Sequence, residues 1–171
     1  QLDLAILFRA DAARRWSVTP LLDEKLYVIG APDLPGMPAG ARVRLKALRD
    51  LPLILPSPSH GLRALTDAAF ARQRITPRVQ AEVDGLTLLM DAVRAGLGAT
   101  IQPGAATARL PDGAVRSVLL ADALTARRNL LASLSDDELS PAALAARVVL
   151  ADVARALVRD GHWAGAGLHK N

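Results

Sequence analysis

The side chains best placed to do chemistry lie where a short apolar run gives way to a helical pattern. Leu53-Ile54-Leu55 reads as a buried strand, and Pro56-Ser57-Pro58-Ser59-His60 follows it before a helix that includes Leu62. The amino end of a helix presents amides without intrahelical partners and the positive end of the dipole, so it favours carboxylates and other anions. Ser57 and Ser59 add hydroxyls there, and His60 adds a donor that can become cationic. The bland alternative is that Ser59 only caps the helix and Ser57 faces solvent. A second group comes from Ala99-Thr100-Ile101, a short strand that Pro103 ends for want of an amide. That reading sets Thr100 and Gln102 at the carboxyl end of a strand, where open α/β sheets bind ligands.

Other combinations are weaker. His60 beside two serines lacks a Gly-x-Ser-x-Gly elbow and a carboxylate to orient the ring, so nucleophilic catalysis is not expected and the chain is read as a non-enzyme. His60, His162 and His169 lack metal-ligand spacing, the latter two falling in a C-terminal tail, and cysteine is absent. Gly96-Leu97-Gly98 follows a helix rather than opening one, which makes it a turn and not a dinucleotide fingerprint. Asp136-Asp137-Glu138 reads as a solvated loop before a helix start, and Trp16 and Trp163 as packing residues. No cofactor and no metal are expected.

The elements that must position these residues follow from the pattern. Leu2 to Leu7 reads as a strand with Phe8 at its carboxyl end, Arg9 to Thr19 as loop, and Leu26 to Ile29 as a second strand. Pro32, Pro35, Gly36, Pro38 and Gly40 form the densest run of breakers, a natural place to cross between lobes. Val43 to Leu48 fits a helical turn. The helix after Ser59 shows Leu62, Leu65, Ala69 and Phe70 on one face, and Val79 to Val83 reads as a strand. Asp84 can cap a helix carrying Leu86, Leu89, Met90 and Val93 at i, i+3, i+4 and i+7, which Gly96 stops. This βαβαβ alternation predicts a largely parallel sheet with helical faces. Gly104 to Arg109 reads as a short helix, and Val115 to Leu120 and Asn129 to Leu134 as strands. Ser140-Pro141 opens a helix that runs to about Asp160, with Gly161 as its stop. The wide apolar face of that last helix implies burial on more than one side, against the sheet and a partner chain.

A chain of 171 residues that is 51% hydrophobic can bury a core as one unit or two small lobes. The absence of cysteine suits the cytoplasm, no secretory signal opens the sequence, and no apolar run approaches the roughly 18 residues of a membrane span. A net charge of +4 invites a nucleic-acid reading. The basic residues, nearly all arginine, are scattered among carboxylates, and aromatics make up only 3%, so solvated surface is the better account.

Taken in order, Leu2-Asp3-Leu4-Ala5-Ile6, Pro20 to Gly30, Leu53 to Arg63, Glu82 to Pro103 and the ending Gly161-His162-Trp163-Ala164-Gly165-Ala166 resemble the effector-binding domain of the LysR-type transcriptional regulators. The resemblance runs over nearly the whole chain; the ordered set carries it, not any single motif. It implies an α/β, two-lobed, periplasmic-binding-protein-like fold of type II with an incomplete first lobe. Residues 1–25 and 132–171 would form that lobe and residues 26–131 the second, with a small molecule bound in the cleft between them. Carried over onto this sequence, the effector contacts would be Ser57, Ser59, His60, Ala99, Thr100 and Gln102, with Phe8 on the first-lobe wall. The resemblance also implies a homo-oligomer, no membrane, and DNA binding only through a domain outside this sequence. The family's opening strand and helix are not in it either, which leaves the cleft incomplete or an edge for another chain to cover. The effector is expected to be an anionic or aromatic acid. The alternatives are a solute-binding protein or enzyme of the same fold, or an interaction module alone.

Overall fold

The apolar run Leu53-Ile54-Leu55, closed by Pro56, is a strand by its own pattern, whereas most other strands carry polar or charged residues and depend on their partners. The computed structural model describes residues 2–8, 16–123 and 125–169. The chain divides into two units, residues 1–24 with 127–171 and residues 25–126.

In the first unit, strand β1 (Leu4–Leu7) runs antiparallel to β8 (Ala126–Ser133), with Leu4 opposite Ser133 and Leu7 opposite Leu130. Strand β2 (Ser17–Gly30) lies next to β8, and β9 (Ala166–Leu168) pairs antiparallel with its Leu22–Glu24 stretch. Helix α3 (Pro141–Arg159) starts where the sequence predicts: Ser140 Oγ accepts from the amide of Ala143 at 3.2 Å. Gly161, at φ +74, ends it. Leu21, Leu22, Leu131 and Ala154 form the core, with Val158 and Trp163 packed against it.

The polar centre of this unit is Glu24, only 1% exposed. Its carboxylate accepts from Arg127 Nη2 at 2.7 Å and Nε at 3.1 Å, and from Trp163 Nε1 at 2.9 Å. The guanidinium of Arg127 in turn stacks over Phe8, 4.0 Å from the ring centroid.

In the second unit β2 continues, pairing antiparallel with β6 (Thr100–Pro103) and β7 (Arg116–Leu120), and β7 pairs in parallel with β3 (Arg42–Val43). Strands β4 (Leu53–Leu55) and β5 (Val79–Glu82) are parallel, and a parallel bridge between Leu53 and Ala99 joins β4 to β6. Helix α1 (Gly61–Arg72) buries Leu62, Ala69 and Phe70 in a core with Val28, Leu53, Leu55 and Ile101. Helix α2 (Leu86–Arg94) buries Leu89, Met90 and Val93 in a separate core with Ile29 and Ile54. Adjacent strand residues alternate between the two cores, so the helices cover opposite faces. At Gly98 an added Cβ would lie 3.0 Å from both the Pro52 carbonyl oxygen and Ile54 Cγ1. A side chain there would push β4 and β6 apart.

Several expectations change. Of the loop expected over 9–19, residues 9–15 lie outside the described part and Ser17–Thr19 open β2. That strand extends through Pro20 and the charged run Asp23-Glu24-Lys25, where one of its partners is β9, in a segment expected to be a tail. The breaker run from Pro32 to Gly40 lies inside the second unit; the chain crosses between units at Glu24–Lys25 and Ala126–Arg127. The sheet is mixed rather than largely parallel, because β2 opposes both β6 and β7. The apolar face of α3 is only partly covered: Val148, Val149, Leu150 and Val153 are exposed.

Removing one partner of a buried ion pair leaves an uncompensated group, so Glu24→Gln is expected to cost about 3 kcal/mol in urea unfolding. The double variant Glu24→Leu with Arg127→Met recovers most of that loss if burial of the pair, rather than its attraction, dominates.

Candidate functional site

Because β4, β5 and β6 run in parallel, their carboxyl ends and the loops after them come to one edge of the second unit. Leu55 stands opposite Glu82, the amide of Val83 donates to Leu55 O at 2.9 Å, and Ile54 N donates to Ala99 O at 2.7 Å. The segment Pro56–His60, the segment Glu82–Gly85, and Gln102 with Pro103 therefore share that edge.

The loop before α1 is held by groups that sequence reasoning assigned elsewhere. Asp84, expected to cap α2, instead accepts from the amide of Ser57 at 2.9 Å, and Gly85 takes the cap position of α2 without a side-chain bond. Ser57 Oγ and Ser59 Oγ are 2.9 Å apart. The cap of α1 is His60 rather than Ser59: its Nδ1 accepts from Leu62 N at 3.2 Å. Nδ1 of His60 thus acts as an acceptor, where the sequence suggested a donor. Arg63, absent from the sequence-level candidates, bonds Glu82 Oε1 at 2.8 Å, Asp67 Oδ1 at 2.9 Å and the Pro56 carbonyl at 2.9 Å. Its spacing of four from Asp67 was a readable ion-pair signal; its link to Glu82 needs the fold.

The charges fit this arrangement. The bond from the Ser57 amide is the main cause holding the Asp84 carboxyl below the ordinary value, with Ser57's side chain adding to it. The Glu82 carboxylate is the main cause raising the Arg63 guanidinium further above its already high value.

The structure gathers Ser57, Ser59 and His60 at an accessible edge, but it treats the second group differently. Strand β6 begins at Thr100 and includes Pro103, so Thr100 stands at its amino end and only Gln102 is near the carboxyl end. Pro103 is accommodated because it faces Leu26 in a pair that exchanges no backbone bonds: the Leu26 amide points away to Thr125 O, so its carbonyl asks no amide of residue 103. Thr100 is 0% exposed, opposite Ile29, and its Oγ1 has no hydrogen-bond partner. Gln102, opposite Tyr27, is buried as well. Ala99 spends its amide on Pro52 O and its carbonyl on Ile54 N, so its backbone holds β6 to β4. Phe8 belongs to the first unit, 44% exposed beneath the Arg127 guanidinium. Among the described residues no group of three potential metal ligands occurs, and no helix is long and apolar enough to cross a membrane.

This mixed α/β fold, with a helix amino end fed by a serine-rich turn, is that of a periplasmic-binding-protein-like regulatory domain of type II. The sequence matches the LysR substrate binding domain family over residues 1–155, and the chain belongs to that family. It is similar to the nitrogen assimilation regulatory protein nac of Klebsiella aerogenes, 33% identical over 118 residues; the match covers 69% of this chain and 35% of that protein. The same protein of Escherichia coli K12 is 31% identical over the same length and share. The matched stretch thus spans about a third of these relatives. Among solved structures, the Synechocystis PCC6803 CcmR regulatory domain in complex with 2-PG superposes with a TM-score of 0.78 at 22% identity, covering 89% of this chain and 73% of that one. The effector binding domain of QuiR in complex with shikimate gives 0.70 at 27% identity, covering 87% and 69%.

A depressed carboxyl pKa means that the Ser57–Asp84 bond is complete above the ordinary value of 3.8 and is lost only as pH falls through the lower, folded value. An NMR titration of Asp84 should show that low midpoint, and Ser57→Ala should keep most of the depression because the backbone amide supplies it. A midpoint at the ordinary value in the native protein would remove Asp84 from its place in the site.

Proposed function

We propose that this chain is the effector-sensing part of a cytoplasmic LysR-type transcriptional regulator, and that the edge formed by Ser57, Ser59 and His60 supplies effector contacts. The observation that carries this reading is the convergence of two hydroxyls and an imidazole on the amino end of α1, at the carboxyl edge of the parallel strands. Gln102 lies at the same edge. Ala99 and Thr100 precede it in sequence, Thr100 at the amino end of β6 with a buried hydroxyl that has no hydrogen-bond partner.

The effector class follows from the donors and acceptors available. The helix end favours a carboxylate. Asp84 already occupies the Ser57 amide, which leaves the paired hydroxyls and the His60 Nε2–H to bond ligand hydroxyl or carboxylate oxygens. A small acid, hydroxylated or aromatic, meets both demands. QuiR, which shares this fold and 27% identity, was solved with shikimate, a molecule of that class.

The regulatory step is a population shift. An effector that binds one arrangement of the protein more tightly than another moves the balance by its differential affinity and no more. We assign DNA contact to the rest of a longer protein and the working state to a homo-oligomer.

Thermal unfolding against shikimate, benzoate and a series of small hydroxy acids tests the assignment, because a ligand that binds only the folded state adds about 2.7 kcal/mol at a hundredfold excess over Kd. A raised midpoint with one of these acids, abolished in Ser57→Ala, is the expected outcome. The same rise retained in Ser57→Ala and in His60→Ala would move the effector elsewhere.

A further inference from the structure

We propose that the second unit carries a phosphate-backbone contact of its own, beyond the DNA contact assigned to the rest of the longer protein: a basic face at the amino ends of β4 and β5 that takes a DNA duplex without regard to sequence. The net charge of +4 belongs entirely to this unit. Residues 25–126 hold 12 lysines and arginines against 8 carboxylates, while the first unit is balanced. In sequence these cations look scattered, and two connections bring six of them to one place. The segment from Arg44 to Pro52 leads into β4 and carries Arg44, Lys46 and Arg49; the segment from Ala71 to Arg78 leads from α1 into β5 and carries Arg72, Arg74 and Arg78. Leu53 pairs with Val79, and its amide donates to the Arg78 carbonyl at 2.8 Å, so both segments reach the same end of the parallel pair. Leu48 and Leu51 from one segment share a core with Phe70 and Ile75 from the end of α1 and the other.

All six cationic residues are exposed, and Asp50 is the only carboxylate on either segment. Among the described residues none of the six takes part in an ion pair. The backbone adds an independent observation: Arg74 has φ +55, alone among the described residues other than glycine in being positive. Glycine would make that turn at less cost, so folding gives no reason for an arginine there. The chemistry of the face then chooses the partner. A protein interface is anchored by apolar or aromatic side chains, and no large apolar residue is exposed on either segment. Single strands stack on aromatic platforms, and neither segment has an aromatic residue. Duplex phosphates ask only for cations along a face, and five of these six are arginines, whose forks suit phosphate. Ser57, Ser59 and His60 follow the carboxyl end of β4, so the effector edge and this face can be occupied together.

Fluorescence anisotropy of the 171-residue chain with short labelled duplexes of unrelated sequence, over a series of salt concentrations, tests this. Dissociation constants of about 10⁻⁴ to 10⁻⁶ M are expected, alike for the different sequences, with log K falling against log salt by roughly 0.9 per phosphate engaged. The triple variant Arg49→Gln, Arg74→Gln, Arg78→Gln should lower that slope by about 0.9 for each arginine removed. A control triple in the first unit, Arg128→Gln, Arg155→Gln, Arg159→Gln, removes the same charge and should leave the slope nearly unchanged. Arg74→Gly alone should weaken binding several-fold while holding or raising the thermal midpoint, which separates the contact from folding. No duplex binding by the native chain at low salt, or equal losses in the two triples, overturns the proposal. So does a polyglutamate peptide that binds where the duplex does not, which would make an acidic protein the partner.

Discussion

The buried pair of Glu24 and Arg127 is the constraint on which the chain path depends. These residues are the last of the first unit on the outgoing strand and the first on the returning one, separated by 103 positions in sequence. A carboxylate at 1% exposure pays heavily in lost hydration, and two bonds from a guanidinium with a third from Trp163 satisfy both of its oxygens. The geometry fixes more than the pair. Trp163 is tied to the strand it packs beside, and Arg127 is held flat over Phe8. One network thus sets the crossing strands, the ending of the chain and the aromatic proposed as an effector contact.

In the second unit, the corresponding constraint is steric. Strands β4 and β6 come close enough for paired backbone bonds only because Gly98 has no side chain beside Pro52 and Ile54. That approach brings the ends of β4 and β6 to one edge, and Arg63 then ties the start of α1 to the end of β5 through Glu82 and to the exit of β4 through Pro56. Arg63 touches no proposed effector contact, yet it fixes the turn that presents them. Lysine could not serve equally, since one ammonium lacks the planar fork that reaches carbonyl and carboxylates together.

What could be read from sequence was what depends on neighbours within a few residues. Ser140-Pro141 and Gly161 bracket α3, Gly96 ends α2, and the apolar spacing of α2 names three residues of its buried face, Leu89, Met90 and Val93, though the fourth, Leu86, is exposed. The serine-histidine turn was legible for the same reason, because a strand, a short polar run and a helix in succession require such a turn. Strand β2 was legible only in its apolar half. Its first half carries Pro20 and three successive charges, and it is a strand because β8 and β9 lie beside it, a fact with no local signature. The roles of Asp84 and Arg63 were hidden likewise, since Asp84 looks like a helix cap until β4 and β5 are aligned and Ser57 N is found within 2.9 Å. Thr100 was placed at the wrong end of its strand because Pro103 was read as a stop. A proline at the last position costs little when the residue facing it points its backbone groups away, as Leu26 does.

Among the described residues, the buried side-chain polar atoms left without partners are Thr100 Oγ1 and Asn129 Oδ1, one in each unit. Valine would fill the space of Thr100 beside Ile29, and leucine that of Asn129 beside Leu131, without leaving a polar group unmet. Folding alone gives no reason to keep either, since each costs more than an apolar neighbour of similar size. They also sit where the rest of the unit has done the positioning. Thr100 lies on the strand that carries Gln102 to the α1 edge, and Asn129 on the strand that β1 and α3 enclose. Thr100 and Asn129 are therefore the two positions whose side chains packing alone does not explain. Glu24 with Arg127 and Arg63 with Glu82, by contrast, bond one another.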